Sequence, residues 1–376
     1  MARPTSISYL LAALIGGCLG GEMDRSAPTS PSPTLFLFGD DGDDYAQVLT
    51  SRRFDFPRDH GSHPDYQTEW WYFTGNLSGI DERHFGFQLT FFRFALAPRA
   101  TQRESAWATN QAWMAHLAIT DTTGRQFTAE ERFSREAQGL AGSALEPFRV
   151  WVEDWSAEGE GEEGLPMRLQ AQTDRAELRL ILTPRKPPVS HGDGGMDRKG
   201  PELGNASHYY SLTRLEATGT LRLDRSEQQV QGTAWMDREW GSSALSADVV
   251  GWDWFGLQLS DGRDLMFYRL RNDDGTSSPY SEGSLVDRDG SRRRLTGRDL
   301  SLQVLDYWRS PTSGARYPVG WELILSEEDL RLQIKPHLVQ QELDLSVRYW
   351  EGAVEVTGRH AGQDITGDGY VELVGY

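Results

Sequence analysis

From Phe54 onward, apolar and polar residues alternate at period two along most of the chain. The run His84-Phe85-Gly86-Phe87-Gln88-Leu89-Thr90-Phe91 is the clearest example, and Leu221-Arg222-Leu223 repeats it in miniature. Alternation of this kind sends successive side chains to opposite faces of an extended chain, so it predicts strands. Turn-forming clusters interrupt the runs at short spacing: Asn76 to Gly79, Asp121 to Gly124, Asp261-Gly262, Asp273-Asp274-Gly275 and Asp289-Gly290. Such punctuation is the mark of antiparallel up-and-down strands. No long segment carries the 3.6-residue apolar stripe of an amphipathic helix. The expected fold class is all-β, with few or short helices.

An internal echo suggests that the strands form two barrels. Glu69-Trp70-Trp71-Tyr72-Phe73-Thr74-Gly75-Asn76-Leu77, a turn and Gly86-Phe87-Gln88-Leu89 resemble Gly251-Trp252-Asp253-Trp254-Phe255-Gly256-Leu257-Gln258-Leu259, a turn and Leu265-Met266-Phe267-Tyr268. Each half opens on an aromatic strand with a glycine and returns through a hairpin. The chain of 376 residues is long enough for two cores of ~100–200 residues each. The expected domains are 51–245 and 246–376. Two polar excursions interrupt the strand-like sequence, Trp155 to Pro166 and Lys186 to Asn205, and the second is of the Pro/Gly-rich kind that covers or borders a site.

The N-terminus reads as an address. A charged start is followed by Tyr9-Leu10-Leu11-Ala12-Ala13-Leu14-Ile15 and then Gly16-Gly17-Cys18, the layout of a secretory signal, with an apolar run too short to span a bilayer. Ile15-Gly16-Gly17-Cys18 also resembles a bacterial lipobox. Cys18 is the only cysteine, which excludes an internal disulfide and makes lipidation its natural use. Residues 19–50 then read as a flexible tether. The expectation is a lipid-anchored protein of the cell envelope, held to a membrane through Cys18.

Acids outnumber bases 56 to 38, for a net charge of −18, which argues against nucleic acid as a partner. Lys186, Lys199 and Lys335 are the only lysines, and nothing about them suggests lysine chemistry. Thirteen Trp, thirteen Tyr and fifteen Phe, clustered in the alternating runs, point to aromatic-lined interiors.

Four stretches carry residues able to do chemistry. Asp59-His60-Gly61-Ser62-His63-Pro64-Asp65 is dense in imidazole and carboxylate, but its spacing matches no closed metal site; a hydrogen-bonded loop closing a barrel mouth is the reading preferred to a metal centre, with His63 a candidate proton carrier. In Trp235-Met236-Asp237-Arg238-Glu239-Trp240, extended geometry places Trp235, Asp237 and Glu239 on one face. Two nearby carboxyls against an indole favour one protonated acid, the condition for a general acid; the alternative is that both acids pair with arginine between barrels. His208 and Tyr210 share a face of Asn205 to Ser211, with Tyr209 opposite. Trp252 and Trp254 flank Asp253 and face together, either as a cation-stabilising wall or as core. Phosphate-binding glycine loops, nucleophile elbows, His-Glu-x-x-His and paired-cysteine motifs are missing from the sequence.

Taken together, HGSHPDYQTEWWYFTGNL, AHLAITD, HYYSLTRLEATGTLRLD, AWMDREWG, GWDWFGLQLSDGRDLMFY, YPVGWEL and the C-terminal YWEGAVEVTG and GDGYVELVGY resemble the carotenoid 1,2-hydratase and AttH-like family of lipocalin-like proteins, from about Phe54 to the C-terminus. That resemblance implies two calycin-type barrels packed together, a ligand space near their junction, and hydration of an acyclic alkene without a cofactor. Related proteins steer cyclisations or are called predicted secreted hydrolases. The expected partner is a lipophilic small molecule, no metal or cofactor being implied. Expected catalytic residues are Asp237 as acid, with Glu239, His208 or His63 as partner or water holder. Glu69, Trp71, Trp235, Tyr210, Trp252 and Trp254 are expected to bind the ligand. A non-catalytic carrier and a secreted hydrolase are the alternatives.

Overall fold

The computed structural model describes residues 44–99, 104–243 and 245–376. The proposed signal, Cys18 and most of the tether lie outside the described residues. Within them the chain is all-β. Among the described residues there is no α-helix; two short 3-10 turns, Arg58–His60 and Ser326–Glu328, are their helical elements, and neither is long or apolar enough to cross a membrane.

The strands form two antiparallel sheets of 13 and 10 strands, each curled around its own apolar interior. They share one wiring. In the first, Thr68–Gly79 pairs with its hairpin partner His84–Ala95 on one side and with the sheet's last long strand, Ser226–Gly241, on the other. In the second, Val249–Leu259 pairs with Asp264–Asn272 and with the final strand Gln363–Val374. The first sheet thus ends at Gly241 and the second begins at Val249, and the two aromatic stretches noted above hold equivalent places.

Alternation decides what each strand buries. On Thr68–Gly79, Trp71, Phe73 and Leu77 point into the first barrel, where they meet Phe87, Trp113, Leu180 and Met236. Trp70 and Tyr72 point the other way, toward the second sheet. The second barrel is filled by Phe255, Leu257, Trp321, Leu332, Trp350 and Val354. Each such side chain contributes ~1.5–3 kcal/mol of burial. Two inward rows cannot face both interiors and each other, so the outer faces form a third apolar layer. Tyr72, Tyr209, Trp235, Trp254, Met266, Tyr268 and Tyr370 make it, drawn from both sheets.

Polar contacts fix that layer. Asn76 Nδ2 donates to the Gly369 carbonyl at 3.0 Å, the Tyr72 hydroxyl to Glu351 Oε2 at 3.0 Å, and Thr120 Oγ1 to Gln341 Oε1 at 2.7 Å. Gly86 allows the close approach: a Cβ there would lie 2.5 Å from that of Ala353.

Candidate active site

Between the two sheets lies a cavity of about 70 Å³. By the measure on which one water occupies ~10–15 Å³, it holds about five to seven waters or a thin section of a ligand. Trp70, Tyr72, Phe92, Trp252, Trp254 and Tyr268 give it an aromatic wall, and Asp237, Glu239, Lys199 and Glu372 break that wall with charge.

The strand Ser226–Gly241 places the first two acids. Inward residues Ala234, Met236, Arg238 and Trp240 are buried on the barrel side, which turns Trp235, Asp237 and Glu239 toward the second sheet. Asp237 is 4 % exposed. Its carboxylate accepts from the Tyr209 hydroxyl at 2.6 Å, from Trp235 Nε1 at 2.6 Å and from Ser211 Oγ. Burial pushes its pKa up, these three donors pull it down, and the neighbouring Glu239 raises it again; the balance is about 7. Neutral pH therefore divides Asp237 between acid and base.

Glu239 is also pushed up by burial, but Lys199 lies 3.2 Å away and works against the shift. Lys199 pairs at 2.7 Å with Asp197, whose other oxygen accepts from the Tyr268 hydroxyl at 2.7 Å. Burial disfavours the ammonium, yet Asp197 and Glu239 hold its pKa above the usual lysine value. Both Asp197 and Lys199 come from the 186–205 excursion. Short strands Val189–Ser190 and Met196–Arg198 lay it along Ala206–Leu223, and the turn between them needs Gly192 at φ +60°, where a Cβ would strike the Met196 carbonyl at 2.0 Å. The excursion thus borders the cavity, and a lysine set aside in the sequence stands in its wall.

On the facing sheet Glu372 lines the cavity, and Glu351, buried beside it, makes a second acid pair. Glu351 and Glu372 are direct register partners on adjacent strands of the second sheet, and like charges there repel. Burial and then the Glu372 charge raise Glu351 well above the usual carboxylate range, while burial lifts Glu372 to about 7 against a hydrogen bond from Trp252 Nε1. A carboxyl whose folded pKa is raised contributes stability that is full below its unfolded value, ~4.3, and is lost as pH rises through the folded value. Stability should therefore fall between about pH 4 and 7, and Glu372→Gln should flatten the fall. Urea midpoints across that range measure it; an unchanged slope would remove Glu372 from the account.

The remaining expected site residues lie elsewhere. Asp237, Glu239, Trp252 and Trp254 line the cavity, and Trp235 stands behind it, bonded to Asp237 and set edge-on to Trp254 at 5.9 Å. Glu69, Trp71, His63, His208 and Tyr210 are not brought to it, because they occupy the opposite faces or one end of the first barrel. Trp71 is fully buried in the barrel, stacked on Trp113 at 5.6 Å with the Arg238 guanidinium 3.8 Å from its ring. Tyr210 meets His60 Nδ1 at 2.6 Å, and His208 packs against Trp240 and Phe54. His63 lies flat on Trp240, ring centroids 3.8 Å apart, and bonds Asp59 at 3.1 Å. Glu69 is clamped between Arg93 and Arg238. The Asp59–Asp65 stretch is a hydrogen-bonded loop at the end of this barrel.

Tyr209 takes the place expected of Tyr210. Its hydroxyl donates to Asp237 and accepts from Trp254 Nε1 at 3.1 Å, which links both sheets through the acid. Behind Asp237, Ser211 Oγ lies 2.6 Å from His191 Nε2, and His191 Nδ1 lies 2.9 Å from Ser284 Oγ. A Ser–His contact is what a hydrolase would use, but both residues are fully buried and neither lines the cavity. Burial holds His191 well below the usual imidazole value, so it orients Ser211 as a neutral ring.

The AttH-like family matches residues 47–376. The chain belongs to the AttH-like family. A crystal structure of a Nitrosomonas europaea chain assigned to AttH superposes with a TM-score of 0.77 at 34 % identity, covering 88 % of this chain and 99 % of that one. Kievitone hydratase from Nectria haematococca has the same fold at 14 % identity, with a TM-score of 0.67 over 90 % of this chain and 98 % of its own. CghA, solved with Sch210972, shares it at 15 % identity and a TM-score of 0.53, over 90 % and 97 %. No curated protein matches this AttH-like chain by sequence.

Proposed function

We propose that this AttH-like protein catalyses proton-initiated hydration or isomerisation of an apolar, alkene-bearing small molecule, with Asp237 as the proton donor. One observation carries the reading: a buried carboxyl poised near neutrality faces a cavity walled by indole and phenol rings. Protonating an alkene carbon breaks the Asp237 O–H bond and leaves a carbocation, which aromatic faces stabilise. Water then attacks the cation and gives up a proton to a carboxylate, Glu239 beside the donor or Glu372 across the cavity; transfer of a carbon-bound proton from the cation to one of these carboxylates, or back to that of Asp237, instead gives the isomer. The hydratase among the proteins of like fold supports the reaction type.

A non-catalytic carrier has no need for a buried carboxyl held near its ionisation point, so catalysis is the better account of Asp237. An acyclic isoprenoid is the ligand class proposed, and lipid anchoring through Cys18 in the cell envelope belongs to the same proposal. Incubation with acyclic isoprenoid hydrocarbons in D2O tests it, read by mass spectrometry. The expected product carries deuterium at carbon, with or without the mass of added water. If no such product forms, and lipid extracts of protein from its own host hold no apolar alkene, the proposal is lost.

A further inference from the structure

Away from the cavity, the same interface brings together His84, at the start of His84–Ala95 in the first sheet, with His337 and Asp368 of the second. One donor atom from each lies within 4.8 Å of the others. The imidazole rings are 4.1 Å apart, centroid to centroid, and tilted by 35°. Their polar atoms are poorly served: His84 Nδ1, His84 Nε2 and His337 Nε2 are all buried with no hydrogen-bond partner. Every neutral imidazole has one N–H to donate and one lone pair to satisfy, and leaving these unmet is costly. Two rings with three orphaned nitrogens beside an exposed carboxylate lack a shared partner that accepts lone pairs.

We propose that His84, His337 and Asp368 bind one divalent transition-metal ion, Zn2+ in the first instance, as a clasp between the two barrels. Two imidazoles and one carboxylate are a ligand set suited to zinc, with water completing a tetrahedron. Bonds of ~2.0–2.1 Å set neighbouring donors roughly 3.3 Å apart, so ion binding would draw the three donors together from their present spacing of up to 4.8 Å. The anchors are firm. His84 continues the hairpin opposite Ser78, His337 N donates to the Ala353 carbonyl at 3.0 Å, and Asp368 sits in a paired strand opposite Glu355. Because the ligands come from both sheets, the ion would favour the docked over the separated barrels and raise their joint stability by mass action.

The test is zinc titration of the untagged full chain after chelator treatment, read by calorimetry and by thermal unfolding. One Zn2+ per chain and an upward shift in Tm are expected. Asp368→Asn should weaken binding by about tenfold or more, as should His337→Gln, and His84→Gln/His337→Gln should abolish it. Absence of stoichiometric binding by the natural protein overturns the proposal, as does a double variant that binds as tightly as the natural one. Should the variants fail to fold, the visible spectrum of the Co2+-loaded natural protein decides: an intense four-coordinate band supports the site, and the spectrum of aqueous Co2+ rejects it.

Discussion

Asp237→Asn is expected to cut turnover by about 10²–10⁴, the contribution of a positioned general acid, while the protein stays folded and keeps its ligand. The substitution preserves shape. Asn Oδ1 still accepts from Trp235 Nε1 and Ser211 Oγ, while its amide nitrogen, in place of the oxygen that accepts from Tyr209, donates to that hydroxyl oxygen instead. What is lost is the transferable proton. The natural protein should show the matching pH dependence. A donor with a pKa of about 7 is competent when protonated, so activity should be full in mild acid and decline as pH rises through neutrality. A variant that turns over at the natural rate, or a profile flat across neutrality, would assign the proton to another group; Glu372, raised to a similar value on the opposite wall, would be the next to replace.

The strands and the Asp237 face were legible because both follow from period two. Trp235-x-Asp237-x-Glu239 shares a face in any extended chain, and the arginine and methionine between them required the other. The choice between His208/Tyr210 and Tyr209 was not legible in the same way: alternation says which side chains keep company, but not which company meets the second sheet. A signal existed in the hydroxyl series Ser207-x-Tyr209-x-Ser211. Those residues pair in register with Gly241, Glu239 and Asp237, so their hydroxyls fall beside the acids. Further along, a bulge between Leu212 and Leu215 switches the inward set from even to odd numbers and keeps Leu215, Ala217 and Leu221 in the core. Trp70-Trp71 posed the same ambiguity, with one indole on each side of the sheet. Lys199, Glu351 and Glu372 depend on contacts between segments far apart in the chain. Glu351 and Glu372 nonetheless sit inside the apolar runs YWEGAV and YVELV, where an acid with no nearby base signals a raised pKa.

Glu69→Gln should be among the most destabilising conservative substitutions in the first barrel, at about 3–5 kcal/mol, the cost of breaking one partner from a buried ion cluster. Glu69 is fully buried, and its carboxylate bonds Arg93 on one side and Arg238 on the other, both within 1 % of complete burial. Burial alone would raise its pKa, but those two guanidiniums hold it well below the usual carboxylate range. Removing the charge leaves two buried cations with one anion fewer, without opening a cavity. The loss should spread to the loop, because Arg93 Nη2 also donates to the His63 and Tyr66 carbonyls and Arg238 Nη2 to that of Gly61. A depressed folded pKa gives stability that is present above the unfolded value, ~4.3, and disappears as pH falls below it. The natural protein should therefore lose stability in acid more steeply than Glu69→Gln does. Urea unfolding followed by tryptophan fluorescence, at neutral pH and in acid, measures both effects. A pairing of Glu69→Gln with Arg238→Met should recover part of the loss, since it removes one uncompensated cation along with the anion. If the single variant unfolds within about 1 kcal/mol of the natural protein, the range of ordinary surface changes, the cluster does not hold the barrel's end closed; if it stays stable but loses ligand, Glu69 belongs to binding after all.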